Sequence, residues 1–188
     1  MTATITFPLL GEPLALDLVN TRILERGEPA DLLDRPAALN AWLRTQRHRL
    51  DWRGAVTHSD LAAVRALRDT IEALVRARLE QASTPPSALQ DFNRALAIPA
   101  TGARLEWTRS GPQKTAPPAG ASRDRLLRTL ALDALELLTG TAAGALRECA
   151  HPDCRLLFVA RNARRRWCSG ATCGNRARVS RHYARSHD

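Results

Sequence analysis

Apolar residues recur at helical intervals through most of the chain. In GEPLALDLVNTRIL, Leu14, Leu18 and Val19 share one face, which predicts a first helix ending near Gly27. Ala37 to Arg47 predicts a second, behind Pro36, whose fixed φ suits a first helical turn. Leu61, Val64, Leu67, Ile71, Leu74 and Leu79 form one long stripe, with Ser59 as its expected N-cap. Pro85 and Pro86 interrupt the pattern, and Ser87 to Ala97 resumes it. Ser122 is expected to cap a further helix through Leu138, carrying Leu126, Leu127, Leu130, Leu135 and Leu138. The period shortens to two at Arg104 to Thr108, a short strand. SGPQKTAPPAGAS, residues 110–122, reads as a loop or linker, and Thr139 to Gly144 as a hinge.

Beyond that hinge the pattern changes. RLLFVA, residues 155–160, is strand-like; the chain is expected to turn through RNARR, with a hairpin tip near Asn162, and to return to Trp167. A basic helix then opens at Cys173, with Val179 and Tyr183, four apart, as its expected buried face and Phe158 and Trp167 as a small core. The fold class expected is mainly α (α+β). A helical N-terminal domain with a short strand or hairpin, residues 1–144, precedes a small β-hairpin–helix module, residues 145–188.

The charge follows the same division. Of the chain's net +9, residues 1–144 contribute +2 and residues 145–188 contribute +7, from ten basic and three acidic side chains. All four cysteines and three of the five histidines lie in the second part. Of 28 basic residues, 27 are Arg, the side chain suited to planar, bidentate contacts with phosphate, carboxylate and guanine; codon bias is the plain alternative. No stretch approaches the roughly 18 apolar residues that span a bilayer. Met1 to Leu10 lacks a basic n-region, so no signal peptide, no membrane partner and a cytoplasmic, reducing location are expected.

The cysteines are spaced Cys149-x4-Cys154-x13-Cys168-x4-Cys173. Two close pairs joined by a longer span can present four thiolates to one tetrahedral ion. Two disulfides are the alternative, disfavoured in a reducing compartment. A closed four-cysteine set leaves no open coordination position, which points to one structural Zn²⁺ rather than a catalytic one. His151 could replace one ligand, or be a solvated turn residue.

The C-terminal string CAHPDCRLLFVARNARRRWCSGATCGNRARVSRHYAR resembles the CGNR zinc-finger family, named for the tetrapeptide that stands here as Cys173-Gly174-Asn175-Arg176. The run Arg165 to Ser169 matches its usual form, and Gly11 to Thr21 resembles the start of the ABATE domain that precedes that finger. The resemblance implies a stress-induced or ligand-responsive transcription regulator, with Cys149, Cys154, Cys168 and Cys173 as zinc ligands.

Arg178, Arg181 and Arg185 fall on one face of the last helix, flanked by Asn175, Arg176 and His182, while Arg164, Arg165 and Arg166 occupy the expected hairpin turn. These nine residues are the candidate nucleic-acid contacts, with DNA ahead of RNA and of an acidic protein partner. Arg176 is also a candidate to balance the zinc thiolates. A homodimer is expected for a regulator with so small a reading module. Asp17, Asn20 and Arg22, with Glu12 before them, are the candidate residues for a small-molecule effector, or else polar positions of the first helix. His58 and Asp60 read as a loop pair. No Gly-rich phosphate loop, HExxH or GxSxG motif occurs, so an enzyme is not expected.

Overall fold

The computed structural model of the chain describes residues 6–99, 104–115 and 122–186. The first five residues and residues 116–121 of the expected linker lie outside the described residues. The centre of the body is a short helix, α1 (Leu14–Val19), all six of whose residues are buried. It is apolar nearly all round, as a helix enclosed by others must be. Around it pack α2 (Pro36–Thr45), α3 (His58–Glu80), α4 (Pro86–Leu96) and α5 (Ser122–Thr139), with Trp42, Leu16, Leu18, Leu39, Ile71 and Leu130 fully buried between them. Each such side chain contributes roughly 1.5–3 kcal/mol by leaving water.

The helix ends explain the small departures from the expected pattern. α3 is capped by Thr57, not Ser59. The Thr57 hydroxyl accepts from the Asp60 amide at 3.1 Å, and the Asp60 carboxylate accepts from the Thr57 amide at 2.9 Å, a reciprocal box. Asp60 is therefore a capping residue and His58 an exposed first-turn residue. α5 starts at Ser122, whose hydroxyl donates to the Arg53 carbonyl at 3.2 Å.

Helix α1 stops at Val19 and does not run on towards Gly27. Asn20 and Thr21 leave the helix, and β1 (Arg22–Glu25) and β2 (Glu28–Asp31) form a hairpin around Arg26 and Gly27. Both turn residues have positive φ, 55° and 88°, the backbone that a tight two-residue hairpin turn requires. A second hairpin joins β3 (Arg104–Thr108) to β4 (Gly111–Thr115), so the first part of the expected linker is a strand. A third joins β5 (Leu146–Glu148) to β6 (Leu157–Val159), after a 3₁₀ turn at Thr141–Ala145 where the hinge was expected. Last comes α6 (Cys173–Ser186). Among the described residues, no helix is long and apolar enough to cross a membrane.

Candidate zinc centre and basic helix

The hairpin of the C-terminal part lies upstream of its expected position. Its strands are β5 and β6, and its connection, residues 149–156, is the first cysteine knuckle. The Cys149 amide donates to the Leu156 carbonyl at 2.9 Å and the Cys154 amide to the His151 carbonyl at 3.0 Å, folding the knuckle back on itself. After β6 the chain turns through residues 161–167 without a return strand, and the Ala150 amide holds it at the Arg166 carbonyl, 2.9 Å away. Cys168 thereby comes beside Cys149, its amide donating to the Cys149 sulfur at 3.4 Å. Cys173 is the first residue of α6, where the helix dipole favours a thiolate. Gly174 packs closely against Trp167: a Cβ there would stand 3.2 Å from its Cδ1. Trp167 and the fully buried Phe158 form the small core expected of them, together with the cysteines.

The four sulfurs lie within 4.8 Å of one another, with Cys154–Cys168 at 3.8 Å and Cys168–Cys173 at 3.6 Å. A tetrahedral Zn²⁺ with Zn–S near 2.3 Å sets its sulfurs about 3.8 Å apart, so the donor set fits that ion. Thiols this close cannot all ionise unaided. The Cys168 thiol, hydrogen-bonded to Cys154, holds Cys154 down at about 5, and that same partner together with burial pushes Cys168 far up. Burial also pushes Cys173 up to about 11. A divalent cation removes this conflict and lets all four act as thiolates. His151 is outside the cluster, but it is buried rather than solvated.

The centre is built onto the body. Asn20 pairs with the β6 backbone as a neighbouring strand would: its Nδ2 donates to the Leu157 carbonyl at 2.9 Å, and its Oδ1 accepts from the Leu157 amide at 2.8 Å. Glu12 accepts from the Val159 amide at 2.8 Å and from Arg165 at 3.0 Å. Glu72 of α3 accepts from Arg155 at 2.5 Å, and Leu146 and Leu157 lie in the same core as the body helices. Glu72 also binds Arg22 and Arg76, and these donors hold its carboxyl below the usual range although burial opposes them.

Asp17, Asn20 and Arg22 are thus engaged inside the protein. Asp17 contacts Gln46 and Arg49; Asn20 holds β6; Arg22 pairs with Asp69 and Glu72. The reason is that α1 is enclosed, so polar groups at its end meet protein rather than an open pocket. The candidate nucleic-acid residues divide. Arg165 turns inward, 22% exposed, over the Phe158 ring, donating to the Val159, Trp167 and Cys168 carbonyls besides Glu12. Arg164 and Arg166 are exposed, as are Asn175, Arg176, Arg178, Arg181, His182 and Arg185. Arg176 lines an open groove, while the Cys149 and Cys154 sulfurs take backbone donors from Cys168 and Leu156. Val179 and Tyr183 are 45% and 62% exposed, not a buried face, because α6 projects beyond the finger after its first turn. Sequence reasoning missed the docking roles of Glu72, Arg155 and Arg165, since their partners lie 83 or more residues away.

The fold and the site together define a helical domain that carries a four-cysteine zinc-finger module. The ABATE domain family, described as "Putative stress-induced transcription regulator", matches residues 12–141, and the CGNR zinc finger matches residues 145–186. The chain belongs to the ABATE family and bears a CGNR zinc finger with one structural zinc ion. No curated protein matches it.

Proposed function

We propose that the protein is a cytoplasmic, DNA-binding transcriptional regulator without enzymatic activity, in which α6 meets the duplex and the helical body senses a ligand or mediates assembly. The observation that carries this reading is the exposure of α6: Arg178, Arg181 and Arg185 share one face of a helix that is exposed along most of its length. Arg164 and Arg166, exposed on the preceding loop, extend the same charge. Such a surface draws its affinity from phosphate contacts, while Asn175 or an arginine at a base edge would supply sequence choice. Arg165 is left out of the interface because its donors are engaged within the finger. The residue 1–144 and 145–188 units work together across the Asn20–Leu157 contact, and a dimer would give the small finger a site long enough to be specific.

The test is selection from a random duplex pool by zinc-loaded protein, with Cys168→Ser, Cys173→Ser as control. The expected outcome is an enriched motif that the control loses, with a symmetric motif reporting a dimer. No enrichment by protein shown to hold zinc would overturn sequence-specific DNA binding in favour of RNA or an acidic protein partner.

A further inference from the structure

Beside the zinc centre, the first knuckle, the Arg166–Trp167 segment and α6 enclose an open groove of about 740 Å³. Between its arginines, α6 contributes Ala177, Val179 and Ser180 to the lining. Its cationic walls are Arg166, Arg176 and Arg181, against one acidic side chain, Asp153. Arg166 is steadied over the Trp167 ring, 5.5 Å from its centroid.

His151 gives the groove a built donor. The residue is 9% exposed and lines the groove. Its Nδ1 accepts from the Asp153 amide at 3.2 Å. In the neutral ring the proton therefore sits on Nε2, which has no protein partner among the described residues. The N–H of a largely buried imidazole, opening on a groove that three guanidinium groups also line, is a donor set for an oxyanion. The volume exceeds what a phosphate alone needs and leaves room for the group that carries it.

We propose that this groove is a phosphate-binding site, in which the His151 Nε2–H and the Arg166, Arg176 and Arg181 guanidinium groups hold a phosphate group, either of a nucleic-acid backbone or of a free phosphorylated compound. The site goes beyond the duplex surface proposed above, with which it shares Arg166 and Arg181.

The test uses full-length, zinc-loaded protein in which the imidazole nitrogen signals of His151 are followed by NMR. Inorganic phosphate, adenosine monophosphate and a short DNA duplex are titrated separately. The expected result is a saturable shift at His151, with binding weakened about tenfold in His151→Phe and largely retained in His151→Gln. A response to phosphate and the monophosphate assigns a free phosphorylated ligand, and a response to the duplex alone assigns the backbone. Arg176→Ala, at an exposed position, gives the same readout if His151→Phe loses zinc. No shift with any probe, or unweakened binding by the variants, overturns the site. Duplex binding is measured in parallel by fluorescence anisotropy. A duplex that binds while His151 stays silent overturns the groove and spares the DNA reading; a phosphate response without duplex binding does the reverse.

Discussion

Asp17 shows how far a residue's role depends on what encloses it. Its carboxylate is buried, accepts from Gln46 at 3.1 Å and Arg49 at 3.0 Å, and has no donor on Oδ1 among the described residues. Burial pushes its carboxyl up to about 6 from an ordinary 3.8, and the Gln46 and Arg49 contacts recover only part of the penalty. A carboxyl raised in the folded state costs stability above that value and returns it as pH falls from about 6 through 3.8. Asp17→Asn is therefore expected to stabilise the protein at pH 8 by on the order of 2 kcal/mol, and this advantage should shrink at pH 4.5. Urea denaturation at the two pH values measures it; a variant less stable at pH 8 would mean that the Arg49 ion pair outweighs burial. Asp31 has the opposite balance: burial opposes its charge, but Arg68, the Leu33 amide and Arg65 hold it well below the carboxylate range. That arrangement stabilises the fold above about pH 4 and is lost on further acidification.

At the scale of elements, the segment from Glu12 to Arg22 joins body and finger. α1 carries its apolar residues into the core, and the polar groups at its two ends take hold of β6 and of the loop behind it. Asn20→Ala would leave the Leu157 amide and carbonyl without these partners in a buried place. The expected loss is about 2–3 kcal/mol, with weaker zinc retention in the same variant, since β6 leads directly from Cys154. Chemical denaturation and competition with a chromophoric chelator measure the two effects; a variant that loses stability without loss of zinc affinity would show that α1 does not support the finger. α6 has little comparable support beyond its first turn, where Cys173 and Gly174 anchor it. Its charge therefore remains available to a partner, and replacing Arg178, Arg181 and Arg185 by Ala should lower the salt dependence of duplex binding by close to three phosphate contacts. An unchanged slope would remove that face from the interface.

The whole molecule couples metal to fold. Leu146 and Leu157, which flank the first knuckle, are buried among the body helices, so the zinc centre stabilises more than its own few residues. Stripping zinc with a chelator is expected to shift one cooperative thermal transition downward. A loss of about 4 kcal/mol corresponds to roughly 8–16 °C in a chain of this size. Two separate transitions, with the helical one unmoved, would show that finger and body are energetically independent. Calorimetry with and without chelator distinguishes these outcomes.

Local chemistry was legible in the chain itself. Leucine spacing marks α3 and α5, proline marks the start of α2, and the two cysteine pairs mark the metal centre, because each signal lies within a few residues. The tertiary structure decided the rest. It ended α1 at Val19, paired residues 111–115 with β3, and moved the hairpin to β5 and β6, because strand pairing requires a partner that periodicity does not name. It turned Arg165 inward and enclosed Asp17, Asn20 and Arg22, because a charged side chain takes whichever partner the fold brings within reach. It also left Val179 and Tyr183 in the open, where helical spacing alone had placed them on a buried face. The sequence by itself determined which residues could bind a metal and which stretches coil; the packing of distant segments decided which polar groups remain free for a ligand, since burial and pairing arise only when the chain meets itself.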